Sequence, residues 1–142
     1  DELGHLRVRL QDGLPPLEYT DWDRVDAVGP VGGHGDSYRV MYANPIAREF
    51  SGSGQYAAGT VIVKEIRFLE DGDTMGDIDY LAIMRKLEEA PPGGELDGTG
   101  WLFTTQSDVG ADEIRSPRCW RTCHQASTLD GTFLDWSINA GL

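Results

Sequence analysis

Thr60-Val61-Ile62-Val63-Lys64-Glu65-Ile66-Arg67-Phe68 is the stretch on which the fold turns. Its density of β-branched residues marks a strand, and side chains on a strand alternate between two faces. One face then carries Ile62, Lys64, Ile66 and Phe68, and the other Val61, Val63, Glu65 and Arg67. Lys64 therefore stands among three large hydrophobes. A lysine in that setting must be paired, reach past its neighbours to water, or lose its charge. An edge lysine that snorkels outward is the bland reading, and a side chain built into a site is the sharper one.

Upstream of this strand, Ser37 to Ala43 is aromatic and β-branched and reads as a second strand. Asn44-Pro45 then signals a short helix through Phe50, with Asn as the cap and Pro at the first helical position. Trp22, Val25 and Val28 recur every three residues, which predicts a short helix stopped by Gly29. Downstream, Asp71 to Asp79 resembles a calcium loop but has Met75 at the fifth position and Ala82 at the twelfth, so an acidic turn is expected. Asp77 is expected to cap a helix to about Glu89, with Tyr80, Ile83, Met84 and Leu87 on its core face and Pro91-Pro92-Gly93-Gly94 ending it. Trp101 to Thr105 reads as a further strand. The sum is an α+β domain in which a small antiparallel sheet is flanked by short helices. Leu14-Pro15-Pro16 punctuates the start, which sets residues 1–14 apart as an N-terminal extension and leaves 15–142 as one domain.

Charge narrows the class of partner. The 24 acidic residues outnumber the 12 basic ones, for a net charge of -12. Such a chain repels phosphate backbones and anionic membrane surfaces, which argues against a nucleic-acid partner. It attracts a cationic partner such as a basic redox protein. No apolar run reaches the length that spans a bilayer, so no membrane span is expected. The Gly29 to Gly35 segment lacks the lysine and hydroxyl of a phosphate-binding loop.

The two cysteines of the chain fall together in Cys119-Trp120-Arg121-Thr122-Cys123-His124. Four chemistries compete for this cluster. A disulfide between Cys119 and Cys123 closes a very short loop and adds little stability. A zinc site needs further ligands, and His5 and His34 do not form a second pair in sequence. A redox dithiol wants two intervening residues, whereas this chain has three. Covalent haem uses both cysteines and the histidine at once, as thioether anchors and proximal iron ligand. Met41, Met75 and Met84 all precede the cluster, so a methionine ligand following the attachment site, as in the common helical cytochromes, is absent.

Taken over residues 15–137, the sequence resembles the cytochrome P-460 family, which includes cytochrome c′-beta. The resemblance rests on the Trp22 segment ending in Val28-Gly29, on Arg39-Val40-Met41-Tyr42-Ala43-Asn44-Pro45, and on Gly59-Thr60-Val61-Ile62-Val63-Lys64-Glu65-Ile66. Met84-Arg85-Lys86, Gly100-Trp101, the Cys119, Cys123 and His124 cluster, and Asp130 with Phe133 also fit. The resemblance implies one covalent haem c near the C-terminus, held by Cys119 and Cys123 with His124 on the iron. It implies an exported, periplasmic protein whose signal peptide has been removed, commonly a homodimer. It also implies that Lys64 occupies the position of the lysine that cross-links to the haem ring in cytochromes P-460. Those enzymes oxidise hydroxylamine and handle nitric oxide, whereas cytochromes c′-beta bind nitric oxide without the cross-link.

Two departures from the family pattern stand out. One is the third residue between the cysteines. The other is His34-Gly35-Asp36 where the family places a capping phenylalanine. His34 is then either a loop histidine or a distal residue, as hydrogen-bond donor or sixth iron ligand. A neutral Lys64 amine would be nucleophilic, since burial on an apolar face lowers a lysine pKa. Lys64 and His34 are the catalytic candidates, with Asp36, Glu65 and Asp112 as candidate proton-moving carboxylates. Three functions follow: redox chemistry on hydroxylamine or nitric oxide at an open haem iron, nitric oxide binding without turnover, and electron transfer, free or within a larger redox complex.

Overall fold

The computed structural model describes residues 7–8, 18–31, 34–88, 100–116, 124, 132 and 136–137. Seven strands form one antiparallel sheet: β1 (Arg7–Val8), β2 (Asp23–Val31), β3 (Gly35–Ala43), β4 (Val61–Glu70), β5 (Thr74–Lys86), β6 (Trp101–Gln106) and β7 (Glu113–Arg115). From β2 to β7 each strand pairs with its neighbour in sequence, and β1 adds to the far edge through Arg7 opposite Ile114. The small antiparallel sheet expected from the sequence is present. The Thr60–Phe68 stretch forms most of β4, an interior strand flanked by β3 and β5.

Helix is scarcer than expected. The described residues include a short 3-10 helix, Pro45–Glu49, with Asn44 preceding it and Pro at its start as anticipated. The Trp22–Val28 segment is strand, not helix: Asp23, Val25 and Ala27 turn inward while Arg24, Asp26 and Val28 face water. The three-residue spacing of Trp22, Val25 and Val28 coexisted with a polar alternation at Arg24 and Asp26, and pairing with β3 decided between them. The expected helix after Asp77 is the second half of β5. Its Leu81-Ala82-Ile83-Met84 run is apolar on both sides because both faces of the sheet are covered there. A strand buried on two faces has no alternation to read and mimics a buried helix.

Residues opposite one another across an antiparallel pair share a face, so the register fixes two layers. On one face Met41, Ala43, Ile62, Met84, Trp101 and Phe103 join Ala47, Phe50, Tyr56 and Trp136 in a buried cluster. Phe50 stacks on Tyr56 with ring centroids 4.0 Å apart, and the Trp136 backbone N–H donates to the Tyr56 hydroxyl. On the other face Tyr19, Val40, Tyr42, Val63, Leu81 and Ile83 form a second cluster. A β-bulge lies between the pairs Ile66–Tyr80 and Arg67–Ile78, with Asp79 the extra residue. Tyr80 stays on the side of Ile66 by alternation from Ala82, and the bulge moves Ile78 to the second cluster.

The second face also buries a charge pair. Arg85 donates from Nε and Nη2 to the two oxygens of Glu113, at 3.1 and 2.7 Å, and the Thr104 hydroxyl donates to Glu113 Oε1 at 2.6 Å. The pair ties β5 to β7 across β6. Removing one partner strands a buried charge and typically costs about 3–5 kcal/mol, whereas replacing both by apolar groups of similar volume is often nearly neutral. Glu113→Leu is therefore expected to lower stability by about 3–5 kcal/mol, and the double variant Arg85→Met/Glu113→Leu to recover most of it. Urea denaturation of the single and double variants checks this. Equal losses in the two would contradict it.

Candidate functional site

Lys64 leaves β4 on the face of the first cluster. Its cross-strand neighbours are Met41 on β3 and Ala82 on β5, and the side chain is half-buried. One step along the sheet in either direction, the same face carries Ile62 beside Met84, and Ile66 beside Tyr80 and Arg39. The face assignment made from strand alternation is thus the observed one. Phe68, at the far end of that alternation, is 53% exposed and contributes nothing to the core.

His34 lies in the turn that joins β2 to β3, between the paired residues Val31 and Gly35. Gly35 has φ 65, a left-handed conformation that glycine adopts without strain. His34 Nδ1 and the Tyr80 hydroxyl are 2.8 Å apart and share a hydrogen bond, which carries the imidazole from the start of β3 past β4 to β5. Burial pushes the His34 pKa down to about 4, and the positive charges of Lys64, His124 and Arg39 add to the depression. That electrostatic influence puts His34, Lys64 and His124 in one neighbourhood.

His124 approaches the same face from the C-terminal part of the chain. Its ring packs against Phe103 on β6, with centroids 5.0 Å apart. Phe103 is opposite Met84, and Met84 is opposite Ile62, so the histidine stands at one end of an apolar row. Beyond it, the chain returns to this face at Trp136. Arg39 lies on the same face two rows away, opposite Ile66. Its Nη1 donates to the Gly29 carbonyl at 2.7 Å and to Ser37, and burial lowers its pKa.

The structure therefore brings together His34, Lys64 and His124 among the residues singled out by sequence. Cys119 and Cys123 lie outside the described residues, as do Asp130 and Phe133. Among the carboxylates, Glu65 points to the opposite face. It accepts from the Tyr19 hydroxyl at 2.7 Å and from Arg67 Nε at 2.9 Å, in contacts that join the N-terminal segment to the sheet. Burial and the Glu65 carboxylate raise the Tyr19 pKa. Glu65 is thus withdrawn from the set of candidate distal acids. Asp36 and Asp112 are exposed.

Tyr80 and Phe103 are the site residues that sequence reasoning missed. Tyr80 was expected on the core face of a helix. Reading 74–86 as a strand beside β4 would have put Tyr80, Ala82 and Met84 together on the Lys64 face, since residues two apart on a strand share a side. Among the described residues no group of three or more His, Cys, Asp or Glu converges as a metal-ion cage, and no helix is long and apolar enough to cross a membrane. No model of a known protein family matches this chain, and no curated protein matches it either.

The depressed His34 pKa makes a stability prediction. In the unfolded chain this histidine takes up a proton below about pH 6.5, whereas in the folded chain it does so only near pH 4. Its contribution to stability is complete above about pH 6.5 and is lost as pH falls towards 4. The Tm advantage of the native protein over His34→Gln should therefore shrink as pH falls through that window. A constant difference between the two, followed by calorimetry, would refute the buried neutral imidazole.

Proposed function

We propose that this chain is an exported monohaem c-type cytochrome of the cytochrome P-460 kind, acting on hydroxylamine or nitric oxide at an open iron site. The observation that carries the reading is the convergence of His124, Lys64 and His34 on one apolar face from widely separated parts of the chain. A haem asks for an axial imidazole, an apolar wall and few other ligands. His124 against Phe103, with Met41, Ile62 and Met84 beside it, fits that demand. In this reading Cys119 and Cys123 anchor the group and His124 binds its iron.

When bound, the haem supplies the redox-active metal that takes the small nitrogen ligand. The protein's own residues do the rest. Lys64, on β4, would be the amine that a cross-link to the ring uses. His34 lies on the same face and is neutral at physiological pH, so it can exchange a hydrogen bond with a ligand without carrying charge. The apolar row from Ile62 to Phe103 excludes water, which strengthens any such hydrogen bond. The acidic surface, at a net charge of -12, suits a basic electron acceptor. A homodimer and a periplasmic location belong to the same proposal.

A second reading, an electron carrier with a filled sixth position, is kept in view by His34 itself, which could bind iron through a lone pair. The spectrum of the purified ferric protein separates the two. High-spin iron is expected, and low-spin iron would refute the open site. Denaturation in acid should leave the haem attached. Cys119→Ser and Cys123→Ser then show whether both thioethers form: each single variant is expected to retain haem less completely. Lys64→Ala is expected to blue-shift the ferrous Soret band, and an unchanged band would eliminate the cross-link.

A further inference from the structure

The His34 imidazole has two nitrogens, and the structure assigns a partner to one of them. Nδ1 is 2.8 Å from the hydroxyl of Tyr80, 46 residues away in sequence and two strands across the sheet. Resting on the haem reading above, we propose that Tyr80 is a positioning residue that donates its O–H to His34 Nδ1, fixes the tautomer with the proton on Nε2, and thereby makes His34 a hydrogen-bond donor to an oxygen-bearing ligand on this face instead of an iron ligand.

The argument is one of donor and acceptor strength. A phenol is a good donor and a modest acceptor, and the bare nitrogen of a neutral imidazole is a strong acceptor. Of the two ways to place one proton between Tyr80 and Nδ1, donation by the phenol is the better matched. An imidazole whose Nδ1 lone pair is occupied carries its own proton on Nε2. An Nε2–H cannot bind iron, but it can donate to the oxygen of a nitrosyl or of hydroxylamine.

The surroundings favour the same state. Lys64, His124 and Arg39 are the charged or titratable groups acting on His34, and their positive charge opposes a second proton on the ring. The backbone also holds the pair in place. Alternation along β5 puts Tyr80 on the same face as Ala82, the neighbour of Lys64, and His34 reaches it from the β2–β3 connection. The two rings are tilted, with centroids 6.1 Å apart, so the contact is made by edge atoms, Nδ1 and the Tyr80 hydroxyl.

The test uses the whole chain labelled with ¹⁵N-histidine, in its ferrous carbon monoxide form, which is diamagnetic. Long-range proton–nitrogen correlation spectra read the tautomer of His34 directly. A protonated Nε2 with a bare Nδ1 is expected in the native protein, and a mixture of tautomers in Tyr80→Phe. The carbon monoxide stretch should shift to higher frequency in Tyr80→Phe and in His34→Phe, as a donor to the ligand is loosened or lost. His34→Gln, which keeps an N–H donor, should restore part of that shift. A proton on Nδ1 in the native protein overturns the proposal, and so does a tautomer or a stretch that Tyr80→Phe leaves unchanged. Should Tyr80→Phe fail to fold, the native tautomer and the two His34 variants still decide. Should the protein carry no haem, the haem reading fails on that fact alone. The nitrogen spectra of the haem-free chain then support the Tyr80–His34 link if Nε2 holds the proton and overturn it if Nδ1 does.

Discussion

Lys64 and Glu65 are covalent neighbours of opposite charge that never meet on one surface, because a strand sends consecutive side chains to opposite faces. That separation organises the molecule. Lys64 goes to the face shared by His34 and His124, and Glu65 goes to the face where Tyr19 and Arg67 hold it. A one-residue slip of β4 would exchange the two and place a carboxylate among Met41, Ala82 and their neighbours. The register is pinned on both sides. Met41 and Ala82 flank Lys64, and Val40 and Leu81 flank Glu65, all through paired backbones. The residues with chemistry and the residues with a purely architectural role are thereby sorted onto different sides of one sheet.

The two sides handle polar groups differently. On the side of Glu65 the buried carboxylates are met internally: those of Glu65 and Glu113 each accept from an arginine and a hydroxyl. Such contacts fix the order of the strands more than they add net stability, since the desolvation of a buried pair offsets much of its attraction. The side of Lys64 instead gathers positive and titratable groups, Lys64, Arg39, His34 and His124, among apolar neighbours. A surface that concentrates cationic groups in an apolar setting is poorly matched to its own chain and well matched to an anionic or electron-rich guest. This asymmetry is the physical ground for the haem proposal, independently of the cysteine spacing.

Much of this was legible in the sequence where one face of a strand is buried and the other is not. β4 gave its two faces correctly, and β3, β6 and the Asn44-Pro45 turn followed from local signals. β2 and β5 misled for opposite reasons. In β2 a three-residue hydrophobic spacing competed with a two-residue polar one, and only the neighbouring strand resolves that contest. In β5 Leu81 to Met84 are apolar on both faces, so alternation was erased. The site was legible as a set of residue types, Lys64, His34 and His124, but not as a place. Tyr80 joins it by alternation with Ala82 and Met84, which shows only once β5 is read as a strand and not as a helix.

One feature of the sheet bears on how the molecule behaves in a crowded solution. β2 is the outermost strand on its side of the described sheet, and a nine-residue open edge is a template on which another chain could polymerise. Here the far end of that edge is blunted. Pro30 has no amide hydrogen to offer, Gly29 takes φ 110 and leaves the extended path, and its carbonyl already accepts from Arg39. Arg24 and Asp26, paired with each other, put charge on the remainder. The guanidinium that borders the functional face thus also guards against amyloid-like growth, so replacing Arg39 would put colloidal solubility at risk along with the site.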